Sequence, residues 1–341
     1  MQVVVSGYYG FQNMGDEAIL FAIIKSFPEI KFYIASAKPE FTSSLYEVSS
    51  FNRIDLKAIK KHLSFSDVLI SGGGGLLQDK TSLKSLVYYL GVMWLGKILG
   101  KRTVVYAQGI GPITTIAGRV LVRTILNKVD EISVRDRRSL ELLKELKITR
   151  PPCKLTADPV FSLYLPDLNV TKALLTEENI PFTPMIGIAV RQWKDKLSLN
   201  LWEEVCRKIQ DKLKLPLLFL PFHYPFDLQI ARKLVERVGG YTIARFYHPQ
   251  EFLSLFNQIK FLVGIRLHSI IMGAIARVPT VGVAYDPKVK NIAKELGIPV
   301  LPFEFTPEEL LKILPEVEPV KEGLLEKMRK REEINHSLLI S

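Results

Sequence analysis

Short apolar, β-rich runs alternate with helical segments along nearly the whole chain, and few folds tolerate that rhythm. The first run is QVVVS, followed by a turn and a helix predicted from about Met14 to Ser26. KFYIAS, DVLISG, RTVVYAQ and DEISVR repeat the pattern, with helices predicted over about Leu83–Leu99, Thr115–Asn127 and Asp136–Leu146. Continuous rather than alternating apolar runs mark strands covered on both faces. Strands separated by helices predict a parallel, doubly wound sheet. The rhythm breaks once, over DPVFSLYLPDLNVTKALLTEENIPFTP, where prolines stand at 159, 166, 181 and 184. It then resumes with MIGIAV, LPLLFLP, YTIAR, FLVGI and TVGVAY. The expectation is two Rossmann-type domains facing across a cleft. Their predicted bounds are 1–165 and 185–318, with a linker over 166–184 and an amphipathic helix over 319–341.

A length of 341 residues suits about two domains. With 48% hydrophobic and 24% charged residues, the chain is globular in composition. Its net charge of +11 points to anionic partners. No basic block is present, so a nucleic-acid-binding tail is not expected. Cys153 and Cys206 belong to no ligand cluster, which argues against zinc and fits a reducing cytoplasm. No secretory leader is visible at the start. The longest apolar stretch, SLVYYLGVMWLGKILG, is interrupted by Lys97 and is too short to span a bilayer. It reads as a buried helix, or as one that touches lipid with Tyr88, Tyr89 and Trp94 at the interface.

Open α/β sheets bind ligands beyond the carboxyl ends of their strands, so those positions carry the functional question. After the first strand, SGYYGFQNMGDEAIL sets Asn13, Asp16 and Glu17 at a helix start, where capping alone is one explanation. The loop has neither the GxGxxG nor the P-loop spacing. GGGGLLQD, from Gly72 to Asp79, holds more glycines than a turn needs. That surplus points to a close approach of ligand or backbone at Gly73 and Gly74, with Gln78 and Asp79 able to hold sugar hydroxyls. Arg135 follows DEISV directly, either paired with Asp136 or recruited for an anion. In the second half Arg191, Arg266 with His268, and Lys288 follow three strand ends, while a lone His223 after another is more often structural. Several cations on one wall suit an anion with more than one charge, and arginine binds carboxylate or phosphate bidentately. A phosphate at the helix start by His268 gains the helix dipole and favours a charged, proton-donating imidazole.

Taken together, GYYGFQNMGDEAIL, GGGGLLQD, QGIGP, SVRDRRS, ADPVF and RLHSIIMGAIARVPTVGVAYDPKVK resemble the polysaccharide pyruvyl transferase family, and its bacterial cell-wall subgroup in particular. The resemblance runs over nearly the whole chain and keeps motif order and spacing. It implies a GT-B-like fold and transfer of a pyruvyl group from phosphoenolpyruvate to a sugar, forming a cyclic ketal and releasing phosphate. For the cell-wall subgroup it implies an N-acetylmannosamine acceptor, at the 4- and 6-hydroxyls, in a lipid-diphosphate-linked precursor of secondary cell-wall polymer. Pyruvylated polymer anchors surface-layer proteins. The family's functional residues fall on Arg135, His268 and Lys288. Arg266, and by strand-end position Arg191, join them in holding the donor with Leu267 and Ser269. Asn13, Asp16, Glu17, Gly73, Gly74, Gln78 and Asp79 are left for the acceptor. Gln12 stands where the family pattern suggests a small residue. Which of His268 and Lys288 gives the proton stays open, and no metal or other cofactor is implied. A cytoplasmic enzyme at the inner face of the membrane fits the charge. Two other readings fit the same residues: a GT-B glycosyltransferase using a nucleotide sugar, and a non-catalytic polyanion binder.

Overall fold

The computed structural model describes residues 1–80, 82–191 and 198–340, and the chain divides into two compact units. One comprises Met1–Phe11, Asp16–Ser162 and Lys327–Ser341; the other comprises Gln12–Gly15 and Leu163–Glu326.

The first unit is built on seven parallel strands, β1 (Gln2–Tyr9), β2 (Lys31–Ser36), β3 (Ser49–Asn52), β4 (Val68–Ser71), β5 (Arg102–Gln108), β6 (Glu131–Val134) and β7 (Cys153–Leu155). Their order is β3-β2-β1-β4-β5-β6-β7. The central strands are buried on both faces, as Val3, Val4, Val5, Leu69, Ile70, Val104 and Val105 show. Helices α1 (Met14–Ser26), α2 (Pro39–Tyr46), α3 (Leu56–Phe65), α4 (Leu83–Ile98), α5 (Ile116–Leu126) and α6 (Arg137–Glu145) make the crossovers. Parallel crossovers are right-handed, and the sheet reverses direction after β3, so α3 to α6 share one face. The packing agrees: Leu86, Leu90 and Met93 of α4 meet Val122 and Leu126 of α5 and Leu143 of α6 in one cluster.

The second unit begins with α7 (Leu168–Glu177) and has six parallel strands, β8 (Met185–Ala189), β9 (Leu217–Phe219), β10 (Tyr241–Thr242), β11 (Ile259–Gly264), β12 (Thr280–Ala284) and β13 (Val300–Pro302). Their order is β10-β9-β8-β11-β12-β13. Between and after them come α8 (Leu199–Leu213), α9 (Phe226–Val238), α10 (Pro249–Ser254), α11 (Leu267–Ile275), α12 (Pro287–Leu296) and α13 (Pro307–Ile313). Then follow α14 (Glu322–Glu333), whose first residues group with this unit and whose remainder groups with the first, and α15 (Ser337–Ile340). The strand order in both units reverses beside the first strand of each, which is the doubly wound Rossmann arrangement.

Two segments differ from the sequence expectation. Residues 166–184 carry helix α7, not a bare connector; Thr171 donates its hydroxyl to the Ser254 carbonyl at 2.8 Å, and Asp167 caps the helix. The C-terminal stretch read as one charged helix over 319–341 is two helices with buried polar anchors, and its residue 341 lies outside the described residues. Asn335 is fully buried; its Oδ1 accepts from Ser133 Oγ at 2.8 Å and its Nδ2 donates to the Ala157 carbonyl at 3.1 Å. Ser133 Oγ in turn accepts from the Ala107 amide at 2.7 Å. Arg331 adds two bonds to the Thr156 carbonyl, at 3.1 and 2.6 Å. Truncating Asn335 orphans a buried hydroxyl and a carbonyl, each worth about 1–3 kcal/mol. Asn335→Ala is expected to lower the urea midpoint accordingly, while Glu326→Ala, at an exposed position of α14, leaves it unchanged.

Candidate active site

In the second unit the strand-end cation Arg266 is held by a buried carboxylate. Asp227, in the first turn of α9, is almost fully buried. Its Oδ2 accepts from the amides of Phe222 and His223 at 3.2 and 3.0 Å, in the turn after β9. Arg266, the N-cap residue of α11, brings its fork to the same group: Nε to Oδ2 at 2.9 Å and Nη2 to Oδ1 at 2.5 Å. This bidentate pair is buried at both partners, and removing either side of such a pair leaves a stranded charge. Arg191, just past β8, lies with its guanidinium carbon 4.5 Å from the Tyr285 ring centroid and its Nη1 2.5 Å from that hydroxyl. Burial first, and then the neighbouring Arg266, lower the proton affinity of Arg191. Burial, followed by Arg266, likewise pulls the His223 imidazole down to about 4. His223 is therefore neutral at physiological pH and adds no charge to the group.

His268 is the second residue of α11. Its ring rests on the backbone of Gly15: a Cβ there would overlap the imidazole, with Nδ1 the nearest atom. Gly15 is held in turn, because Asn13 Oδ1 accepts its amide at 3.2 Å and the Met14 amide bonds to the Phe222 carbonyl at 2.7 Å. The segment Gln12–Gly15 thus belongs to this unit and shapes the floor under His268. Lys288 is the second residue of α12, its amide capped by Asp286 Oδ1 at 2.9 Å. The cation therefore sits at the positive end of a helix dipole, a position that an anion makes favourable. Leu267 opens α11 and is half-buried. Ser269 is fully buried, and its hydroxyl donates to the Arg266 carbonyl at 2.6 Å. The side chain expected to touch the donor is therefore occupied in shaping the RLHS turn.

Arg135 belongs to the first unit. Rather than pairing with Asp136, it forms a buried ion pair with Asp158. Asp136 caps α6 through the Ser139 amide and hydroxyl at 2.8 and 2.9 Å. Asp158 is itself positioned by the Val160 amide at 3.2 Å. Around this pair, Tyr9 is fully buried and its hydroxyl has no hydrogen-bond partner among the described residues. Burial, then Asp16 and Glu17, raise the Tyr9 phenol well above its ordinary range, so it remains a neutral donor.

The glycine run is explained by the protein itself. Tyr9 presses its hydroxyl against Gly72, the Ile19 side chain occupies the space over Gly73, and Gly74 adopts φ +103 beside Asp16. Two expected acceptor ligands hold the fold. Glu17 is fully buried; its Oε1 accepts the Gly10 amide at 2.8 Å and its Oε2 the Tyr46 hydroxyl at 3.0 Å. Asp79 takes four bonds at the entry to α5, from the amides of Thr114 and Thr115 at 2.8 Å each and from their hydroxyls at 3.0 and 2.7 Å. Burial alone would raise its pKa, yet the Thr115 hydroxyl and the two backbone amides hold it down to about 2. Asp16 and Gln78 are half-buried at the strand ends, and Asn13, also half-buried, accepts the Gly15 amide.

Sequence reading missed Arg53. It follows β3, is 9% exposed, and its guanidinium lies 5.1, 4.5 and 5.3 Å from the ring centroids of Phe11, Tyr88 and Tyr89. Phe11 stacks on Tyr8 at 4.0 Å. Among the described residues no carboxylate pairs with Arg53; its bond is to the Tyr89 hydroxyl at 3.2 Å. A strand-end arginine after the polar run SSFN was its only signal.

A model of polysaccharide pyruvyl transferases matches residues 13–287. The chain belongs to that family. The match spans the strand-end segments of Asn13, Arg135, Arg191 and His268, and stops one residue short of Lys288. A search of curated protein sequences returns no relative. Among solved structures, HepE of Anabaena with UDP and glucose is similar over 99% of this chain and 98% of its own, at 10% identity and TM-score 0.64. The UDP-GlcNAc 2-epimerase of Methanocaldococcus jannaschii is similar over 100% and 99%, at 14% and 0.66. ADP-heptose heptosyltransferase II of E. coli is similar over 96% and 100%, at 12% and 0.53. At these identities the likeness concerns the fold, which is GT-B-like.

Two substitutions separate site from scaffold. Gly15→Ala is expected to displace His268 and lower pyruvyl transfer about a hundredfold, the scale of an ångström's misplacement, with an unchanged melting temperature. Asp79→Asn sets an amide against four donors and is expected to lower stability by about 1.5–3 kcal/mol at neutral pH. The native pKa lies below the unfolded one, so the charge stabilises the fold fully above about pH 4 and ceases to as pH falls through about 2. Chemical denaturation of both proteins across that range should show the difference closing.

Proposed function

We propose that this pyruvyl transferase uses phosphoenolpyruvate as donor, bound by the second unit. What supports this reading above all is that Arg191 and Arg266 follow directly on the paired neighbouring strands β8 and β11. Arginines at adjacent strand ends suit an anion with more than one charge. A donor carrying both a carboxylate and a phosphate satisfies that demand, and Lys288 at the start of α12 adds a third cation. His268, seated on Gly15, is the proton donor to the methylene carbon of the enol phosphate. Protonation gives an oxocarbenium-like centre at C2, which a sugar hydroxyl attacks. The C2–O bond to phosphate breaks, and the second hydroxyl closes the ketal. The two hydroxyl protons balance the step: one replaces the proton delivered to the methyl group, and the other leaves on phosphate. In the first unit, Arg135, held by Asp158, is the catalytic residue, and the strand-end residues Asp16 and Gln78 bind the acceptor. Arg53 and its aromatic neighbours would give a sugar ring a stacking platform.

For the acceptor, the proposal follows the sequence resemblance to the CsaB-type cell-wall enzymes: an N-acetylmannosamine unit, ketalised at its 4- and 6-hydroxyls, in a lipid-diphosphate-linked disaccharide in the cytoplasm. The test is phosphate release from phosphoenolpyruvate with synthetic lipid-linked disaccharides. His268→Gln should abolish release while phosphoenolpyruvate binding stays within a few-fold of wild type. Arg191→Gln should weaken that binding at least tenfold, since a bidentate cation is lost. Thermal protection by a UDP-sugar without protection by phosphoenolpyruvate would overturn the donor assignment.

A further inference from the structure

Helices α4 and α5 pack side by side on one face of the first sheet, and their outer surfaces are apolar. Leu83, Val87, Trp94 and Ile98 of α4 are 39, 48, 40 and 62% exposed. At 100° per residue these four fall within an arc of about 60°, so they form a single stripe. Ile116 and Val120 continue the surface on α5, at 83 and 58% exposed. Scattered exposed apolar residues need no explanation, but an aligned pair of stripes on adjacent helices does.

The charge around the stripes is predominantly positive. From Lys80 to Val129 the chain has no aspartate or glutamate. Over the same stretch Lys84, Lys97, Arg119, Arg123 and Lys128 flank the apolar residues, with Arg150 at the end of the neighbouring loop. Trp94, Ile98, Asn127, Lys97, Lys128 and Arg150 line a groove of about 420 Å³. Lys128 stands 5.3 Å from the Trp94 ring centroid. Lys97 is bonded to Asp130 at 2.7 Å, so Lys128 and Arg150 carry the charge of the groove.

We propose that the α4–α5 face docks on an anionic bilayer. Among the described residues no helix is long and apolar enough to cross a membrane, so the helices lie along it. Their aliphatic side chains enter the acyl boundary, Trp94 sits at the headgroup level, and the basic residues meet lipid phosphates. A second copy of this chain fits the face poorly, because it would bring two predominantly basic surfaces together, and Asp130 is already bonded to Lys97. The placement is independent of the proposed reaction, since binding is read without turnover.

The experiment is co-sedimentation of the full chain with phosphatidylcholine vesicles, with and without phosphatidylglycerol. Binding is expected with phosphatidylglycerol, weakening as salt is raised. Each surface lysine or arginine contributes about fivefold to such partitioning, so Arg119→Gln with Arg123→Gln should lower it about thirtyfold. Val87→Asp should also abolish it, with melting temperature and soluble-acceptor activity unchanged. Brominated acyl chains should quench Trp94 fluorescence, and Trp94→Phe should remove that quenching. Equal binding to neutral vesicles, no binding, or a dimer in sedimentation velocity that Val87→Asp disperses would each overturn the proposal.

Discussion

Asp227 is the point on which the second unit's functional edge depends. One buried carboxylate ties the turn after β9, the start of α9 and the arginine at the head of α11. Its negative charge makes a buried Arg266 tolerable, and Arg266 in turn sets the field felt by Arg191 and His223. Electrostatic preorganisation of this kind needs no rearrangement when charge arrives. The first unit uses the same device once, in the Arg135–Asp158 pair.

The fold was legible because central parallel strands are covered on both faces and so must be apolar throughout. QVVVS, RTVVYAQ and TVGVAY could hardly be anything else. Three edge strands were not legible: β3 (SSFN), β7 (CKL) and β13 (VLP) are short, and an edge strand needs only one covered side. Helix α7 was hidden for another reason. Prolines on both sides suggested a connector, yet prolines before a helix start and after its end are compatible with the helix between them.

The candidate site divides along similar lines. Strand ends could be counted from sequence, so Arg135, Arg191, Arg266 and His268 could be placed there. Their partners could not, because Asp158, Asp227 and Tyr285 are brought in by the sheet from 23, 39 and 94 residues away. Glu17 and Asp79 show the opposite error. A carboxylate near a helix start looks the same in sequence whether it binds a ligand or saturates local amides and hydroxyls; only the counted bonds separate the two. The four glycines likewise marked a close approach, but the approaching groups are Tyr9 and Ile19 of the same unit.

The buried Ser133–Asn335 bond joins residues 202 apart in the chain. Translation delivers them in that order, with the whole second sheet made in between. During synthesis, then, the Ser133 hydroxyl between β5 and β6 has the Ala107 amide to accept but lacks its acceptor until Asn335 is made. Domains usually fold in the order they emerge. Here the second unit has every one of its strands in hand before the first has its last polar anchor, so the domain begun first is the one finished last.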